Sequence, residues 1–166
     1  MHPALVVIDM QKRFIPGSQR LYPVLDEALE IINHVASAFR AHGRPVIWVK
    51  DHESIDVEDP DFAVVDALEV EPTDLTVHKI ASNAFCEPAF ASALEATKAD
   101  FTLLCGFRAE QCVLATARGA ADRDISYALL RDAILSPADD APRFVERISP
   151  LMSYEVAVAL AALPLR

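Results

Sequence analysis

Short apolar runs alternate with segments of helical periodicity along most of the chain. The first run, residues 4–8, reads Ala-Leu-Val-Val-Ile without a polar interruption, which is typical of a strand buried on both faces of a parallel sheet. Similar runs predict strands at residues 46–49, 75–78, 101–105 and 125–130, and residues 149–152 leave room for a short last strand.

The segments between these runs are mostly amphipathic. Apolar residues recur at helical spacing from Leu25 to Phe39, and this segment ends at Gly43, a residue suited to a left-handed cap. Further helices are predicted at residues 88–98, 112–123, 139–148 and 153–163, whereas residues 51–71 are acidic and are predicted to form a loop with a helical turn or two. Strands alternating with helices predict an α/β fold of three α-β-α layers around a doubly wound, mostly parallel sheet, whose ligands bind beyond the carboxyl ends of the strands.

Composition limits the size, the partners and the compartment. A chain of 166 residues with 52% hydrophobic residues fits one domain spanning residues 1–166. The net charge of −10 arises from acids spread along the chain, which argues against nucleic acid as a partner. The three cysteines do not resemble a disulfide framework, and the apolar run after the N-terminus is too short for a signal sequence or a membrane span. We therefore expect a cytoplasmic protein that does not bind membranes.

Three chemically active side chains stand just beyond predicted strands: Asp9 after the first, Lys79 after the third and Cys112 after the fourth. Cys112 begins a helical segment, where free N–H groups and the helix dipole favour an anion and hence the thiolate. Each residue also has an ordinary interpretation, as a loop acid or cap, a surface cation and a small core residue respectively. Together they would suit a covalent hydrolase, because a thiol needs a base to take its proton and a cation to hold the resulting charge.

Three motifs resemble those of the isochorismatase-like cysteine hydrolases, a group that includes nicotinamidases, N-carbamoylsarcosine amidases and ureidoacrylate or biuret hydrolases. Residues 6–14 (VVIDMQKRF) are similar to the family's opening strand with its catalytic aspartate. Residues 79–85 (KIASNAF) are similar to its lysine motif, and residues 106–117 (GFRAEQCVLATA) to its cysteine motif. The motifs occur in the family's order and the resemblance covers nearly the whole chain.

The resemblance implies a role for each of these residues. Asp9 would be the base, Lys79 would hold the aspartate and the thiolate in place, and Cys112 would attack a carbonyl carbon. The resemblance also implies a cis peptide between Arg108 and Ala109, which turns the backbone N–H groups of Ala109 and Cys112 toward the oxyanion, and it implies a homo-oligomer.

Four further residues are candidates for binding a small-molecule substrate: Phe14, Asn83, Phe85 and Arg108. The two phenylalanines can wall an apolar pocket, and Asn83 can donate a hydrogen bond, although it can equally be a turn residue. Many relatives have a small residue at the position of Arg108. A guanidinium so close to the thiol can bind a substrate carboxylate through two hydrogen bonds, although it can equally point to solvent or to a neighbouring subunit.

A metal site and other cofactors are not expected. Nicotinamidases resemble this chain but bind a metal through an aspartate, a histidine two residues on and a later histidine. Here Asp51 and His52 are adjacent, so that on an extended segment they point to opposite faces. Nicotinamide is therefore a less favoured substrate.

Three functions are compatible with these residues. The leading hypothesis is a cysteine-dependent hydrolase that cleaves a small amide or ureide through a thioester. The second is an isochorismatase-type enzyme that cleaves an enol ether, although Cys112 argues against it because those members generally lack the cysteine. The third is a ligand-binding pseudoenzyme of the same fold, and the sequence does not identify the substrate in any of these cases.

Overall fold

A computed structural model describes residues 1–15 and 24–164, which form a six-stranded parallel sheet with helices on both faces. The strands are β1 (Pro3–Ile8), β2 (Val46–Asp51), β3 (Leu75–Lys79), β4 (Phe101–Phe107), β5 (Ser126–Leu135) and β6 (Leu151–Met152), in the order β3-β2-β1-β4-β5-β6. The helices are α1 (Leu25–Ala41), α2 (Pro88–Thr97), α3 (Leu114–Ala121), α4 (Ala141–Arg147) and α5 (Tyr154–Ala162). The predicted doubly wound α/β fold is confirmed, and within the described residues every strand pairing is parallel.

The core has two halves, one on each face of the sheet. Successive side chains of β1 alternate between them: Leu5 and Val7 pack with the buried faces of α1 and α5, whereas Val6 and Ile8 pack with those of α2 and α3. This alternation explains why β1 contains no polar residue, since both of its faces are covered. None of the described helices is both long enough and apolar enough to cross a membrane.

The largest difference from the sequence prediction is the length of β5. The apolar pattern predicts an end at residue 130, before the exposed pair Arg131 and Asp132, but the strand continues to Leu135. Asp132 has a φ of 60° and the pairing with β4 changes register between Leu104 and Gly106, so the strand contains an irregularity of the bulge type. The polar pair therefore marks this bulge and not the end of the strand.

The order of the strands determines where a ligand site can form. From β1 the chain adds β2 and β3 on one side, and then returns to place β4 on the other side of β1. The carboxyl ends of β1 and β4 thus border the crevice where strand order reverses, which is the usual ligand position in this class of fold.

Gly106 allows β4 to approach β1 at this crevice. Its φ is +120°, and a Cβ at this position would lie 2.1 Å from the backbone oxygen of Ile8, so any side chain would force the two strands apart. We expect Gly106→Ala to lower the free energy of unfolding by about 3 kcal/mol or more.

Gly43→Ala is the matched control for this substitution. Gly43 also has a positive φ, +65°, but no atom lies within 4 Å of the place that a Cβ would occupy, so only backbone strain of about 1 kcal/mol is expected. Urea unfolding of both variants measures the difference. Equal losses in the two variants would show that the close approach at Ile8 is not what makes Gly106 necessary.

Candidate active site

Asp9 lies directly beyond β1, at the crevice. Its φ of 54° falls in the left-handed region, which aspartate tolerates better than most residues, and its N–H donates to the carbonyl oxygen of Val49 at 2.9 Å. The side chain is completely buried. This turn at the end of the strand therefore holds a carboxylate inside the protein.

Lys79 is the last residue of β3, and its ammonium is the centre of a buried group of charges. Lys79 pairs in register with Asp51, the last residue of β2. Its Nζ lies 3.0 Å from Oδ2 of Asp9 and 3.2 Å from Oδ2 of Asp51. The side chain of Lys79 has no exposed surface, so the ion pairs form away from bulk water.

Cys112 completes this group from the opposite side of β1. It lies in a π-helical turn, Ala109–Val113, that connects β4 to α3. Its Sγ is 3.5 Å from Nζ of Lys79, and only 2% of the residue is exposed. The structure thus brings together Asp9, Lys79 and Cys112, which the sequence predicts as the catalytic residues.

The environment raises the pKa of both Asp9 and Lys79. Burial raises the pKa of the Asp9 carboxyl, and the ammonium of Lys79 and the thiol of Cys112 only partly oppose this effect. Burial alone would lower the pKa of Lys79, but the neighbouring acidic groups of Asp9, Cys112 and Asp51 outweigh it and raise the pKa above the usual value. Lys79 therefore remains an ammonium at neutral pH, and Asp9 is a stronger base than an ordinary aspartate.

The expected lowering of the Cys112 pKa is wrong. Burial, followed by the neighbouring Asp9 carboxylate, raises the pKa of the thiol to about 12, and Lys79 only partly opposes this increase. A thiolate would add a second uncompensated negative charge to a site where one ammonium already faces two carboxylates. At neutral pH the resting group is therefore a thiol beside a basic carboxylate.

Asp51 is the residue of this group that the sequence analysis missed. The sequence suggests it only as a metal ligand, yet it is the last residue of β2, as Lys79 is the last residue of β3. The buried amide of Gln11 fixes its position, because Nε2 of Gln11 donates to the Asp51 carbonyl at 3.0 Å and the Asp51 N–H donates to Oε1 at 2.7 Å. The carboxylate also accepts a hydrogen bond from the N–H of Glu53 at 2.8 Å.

The backbone at the turn differs from the expectation for the oxyanion site. The bond between Arg108 and Ala109 is trans, so the expected cis peptide is wrong; the chain turns here because Arg108 adopts a left-handed conformation, with φ 60° and ψ 61°. The N–H groups of Gln111 and Val113 donate to the Arg108 carbonyl at 3.0 and 3.3 Å, and those of Ala109 and Cys112 do not. The oxyanion role of Ala109 and Cys112 stays a prediction.

Phe14 and Arg108 contact each other beside the turn. The guanidinium carbon of Arg108 lies 4.7 Å from the centre of the Phe14 ring, and Phe14 stacks on Phe107, the last residue of β4. Both predicted substrate-binding residues are therefore at the carboxyl edge of the sheet, on the side where β1 and β4 end.

Phe85 and Asn83 have structural contacts that account for their presence. Phe85 is 5% exposed and packs edge-on against Phe90 at 4.8 Å between ring centres. Oδ1 of Asn83 accepts a hydrogen bond from the N–H of Phe85 at 2.9 Å, and its amide lies where a Cβ on Gly119 would be. Their predicted contact with substrate stays a prediction.

The residues that could ligate a metal do not suit one while Lys79 is present. Within residues 1–15 and 24–164, a single group of His, Cys, Asp or Glu ligand atoms lies close enough to share an ion, that of Asp9, Asp51 and Cys112, all within 4.8 Å of one another. The ammonium of Lys79 already contacts these three side chains. His52 and His78 are neighbours, with ring centres 6.0 Å apart, but they do not belong to this group.

A buried thiol, carboxylate and ammonium at the switch point of a doubly wound sheet agree with the hydrolase family that the sequence motifs resemble. The family model described as the Isochorismatase domain matches residues 3–152. The chain therefore belongs to the isochorismatase family of hydrolases. A comparison with curated proteins finds no match.

Solved structures of similar fold include proteins with amidase names. A cysteine hydrolase from Pseudomonas syringae pv. phaseolicola 1448A has a TM-score of 0.82 at 21% identity, covering 96% of this chain and 92% of its own. N-carbamoylsarcosine amidase from Thermoplasma acidophilum has a TM-score of 0.80 at 25% identity, with coverages of 93% and 98%. Pyrazinamidase of Pyrococcus horikoshii, solved in complex with zinc, has a TM-score of 0.78 at 21% identity, with coverages of 92% and 98%.

Proposed function

We propose that the protein is a cysteine-dependent hydrolase that cleaves the C–N bond of a small amide or ureide through a thioester intermediate. The observation that carries this proposal is the position of the Lys79 ammonium, which lies 3.0 Å from Asp9 and 3.5 Å from the sulfur of Cys112. A nucleophile, a base and a cation are thus in contact, as covalent acyl transfer requires.

The first step transfers the thiol proton to Asp9. Because the pKa of Asp9 is raised and that of Cys112 is about 12, the proton rests on sulfur and moves only as the sulfur attacks. The S–C bond forms while the carbonyl π electrons move to oxygen, and Lys79 offsets the charge on the reacting groups. Backbone N–H groups of the turn, those of Ala109 and Cys112, would stabilise the oxyanion.

The second step releases the amine and leaves a thioester, and the third step hydrolyses this thioester to release the acid. Asp9 returns the proton to the leaving nitrogen as the C–N bond breaks, which leaves a thioester on Cys112. A water molecule then gives a proton to Asp9 and adds to the thioester carbonyl, and the sulfur leaves and recovers the proton. Asp9 thus acts as base and then as acid in each half of the reaction, which suits a carboxyl whose pKa is above the ordinary value.

An ammonia-release screen over small amides and ureides tests this function. We expect release with the wild type and none above background with Cys112→Ala, while Cys86→Ser, which alters an exposed cysteine, should behave as wild type. Hydroxylamine added during turnover should capture the acyl group as a hydroxamate. Product formation that persists in Cys112→Ala, or cleavage of an enol ether without a thioester, would contradict the proposal.

A further inference from the structure

Two arginines share one aromatic ring at the carboxyl edge of the sheet. The guanidinium carbons of Arg13 and Arg108 lie 4.6 and 4.7 Å from the centre of the Phe14 ring. Each of these three side chains is partly exposed. Phe14 in turn stacks on Phe107 at the end of β4, so the ring supports both cations on a fixed part of the fold.

Neither arginine has a carboxylate partner in the described part of the chain. Nη1 of Arg13 donates to the carbonyl of Glu53 at 2.9 Å, and Nη1 of Arg108 donates to Oε1 of Gln111 at 3.3 Å. Residues 16–23 contain no acidic residue. In a chain with 25 acidic and 15 basic residues, two guanidinium groups thus meet on one aromatic ring and no carboxylate of the described residues pairs with either of them.

The position of this pair connects it with the nucleophile. Arg108 precedes the turn that carries Cys112, and its hydrogen-bond partner Gln111 is the neighbour of Cys112 in the chain. The buried group itself holds two carboxylates, Asp9 and Asp51, against the one ammonium of Lys79. This excess of negative charge repels an anionic substrate unless nearby cations offset it.

We infer that Arg108, which shares the Phe14 ring with Arg13, binds a carboxylate of the substrate, so that the favoured substrates are amides or ureides that carry an acidic group. This inference rests on the proposed function, since the carboxylate is held in order to present its amide carbon to Cys112. A guanidinium donates two parallel hydrogen bonds to a carboxylate, and the free donors of Arg108 are available for this geometry. Arg108 is thus a specificity-determining residue, whereas Asp9, Lys79 and Cys112 perform the chemistry.

Alkylation of Cys112 tests this without knowledge of the substrate. Iodoacetate and iodoacetamide form the same S–C bond with loss of iodide, but only iodoacetate carries a carboxylate. We expect Arg108→Gln to slow alkylation of Cys112 by iodoacetate about tenfold, the effect of losing one charged hydrogen bond, and to leave iodoacetamide within about twofold. Peptide mapping measures both rates, with exposed Cys86 as a reference thiol in the same molecule.

Arg118→Gln is the matched control, since Arg118 is an exposed arginine on α3 and should leave the preference between the two reagents unchanged. A second measurement compares binding of succinamate with that of the neutral succinamide by calorimetry. Succinamate should bind more tightly to the wild type and to Arg118→Gln, and this preference should be lost in Arg108→Gln.

The outcomes separate this inference from the proposed function. The inference would be overturned if Arg108→Gln changed the rates of Cys112 alkylation by iodoacetate and iodoacetamide equally and the wild type bound succinamate and succinamide equally well. This holds whether or not the protein releases ammonia. A preference for anions that depends on Arg108 in a protein that releases no ammonia would uphold the anion site and contradict the hydrolase. If Cys112 no longer reacted with either reagent in Arg108→Gln, the substitution would have distorted the turn that carries Cys112. This result would also overturn a role of Arg108 in recognition of the carboxylate.

Discussion

Cys112→Ala and Asp9→Asn should each reduce kcat/KM for a true substrate about 10⁴-fold or more, and the double variant should lose little beyond either single one. The two residues act on the same proton, because the thiol with a pKa of about 12 depends on Asp9 to become a nucleophile. If either Asp9 or Cys112 is removed, the transfer of the thiol proton to the carboxylate no longer takes place. Steady-state ammonia release measures all three variants, and Cys86→Ser again serves as the control.

The dependence of kcat/KM on pH should show the raised pKa of Asp9. The active form has an ionised Asp9, so activity falls as the pH decreases through the pKa of this carboxyl, and burial places that limb above the ordinary aspartate value of about 3.9. Above that limb no further gain is expected in the range where a cysteine with an ordinary pKa would become a thiolate. A second rise at higher pH than the Asp9 limb, or a loss of less than about tenfold in Cys112→Ala, would contradict a proton held on sulfur and taken by Asp9.

Lys79→Met should destabilise the fold by about 3–5 kcal/mol at neutral pH, because it removes the cation that compensates two buried carboxylates. Asp9 is completely buried and only 9% of the Asp51 side chain is exposed, so water cannot replace the ammonium. Burial raises the pKa of Asp9, and without the ammonium of Lys79 that opposes this effect the pKa in the folded variant should lie further above that of the unfolded chain. The folded variant then binds more protons than the unfolded chain, so its stability should recover as the pH falls through the folded-state pKa of Asp9.

Urea unfolding at neutral and acidic pH measures this effect, and Lys12→Met is the matched control. The Lys12 ammonium lies 2.6 Å from Asp66, but 88% of the Asp66 side chain is exposed, so the loss should be within about 0.5 kcal/mol. Asp9→Asn added to Lys79→Met should restore part of the stability. If the double variant were no more stable than Lys79→Met, lost packing and not uncompensated charge would explain the destabilisation.

The sequence was sufficient to predict most of the architecture and the three residues, Asp9, Lys79 and Cys112, that lie together at the crevice. Strands such as β1 and β4 are buried on both faces, so their apolar runs are unbroken, and Asp9 stands out directly after such a run. Lys79 ends the edge strand β3, which is only partly buried. The parallel order of the strands then brings these ends to one edge. The sequence pattern is enough to identify these residues as candidates, but only the fold brings their side chains together.

What the sequence could not predict depends on interactions through space. The pKa of Cys112 follows from the charges around it, and the helix terminus that favoured a thiolate is outweighed by burial and by Asp9. The contact of Asp51 with Lys79 depends on the pairing of β2 with β3, and the bulge in β5 depends on its pairing with β4. The homo-oligomeric state stays a prediction, because it depends on surfaces of a second chain.

Asp51 and Lys79 are the last residues of the neighbouring strands β2 and β3, so their positions depend on the strands and not on the connection between them. Residues 66–73, in the connection between β2 and β3, lie mostly on the surface, so insertions or deletions there can change this surface while Glu53 and Phe62 keep their hydrogen bonds to Asp51 and Gln11. An insertion of one residue within β3 is different, since it would turn Lys79 to the opposite face of the sheet. Changes in loop length can therefore accumulate freely in a lineage while the strands keep their length, which allows new substrates to be acquired around an unchanged reactive centre.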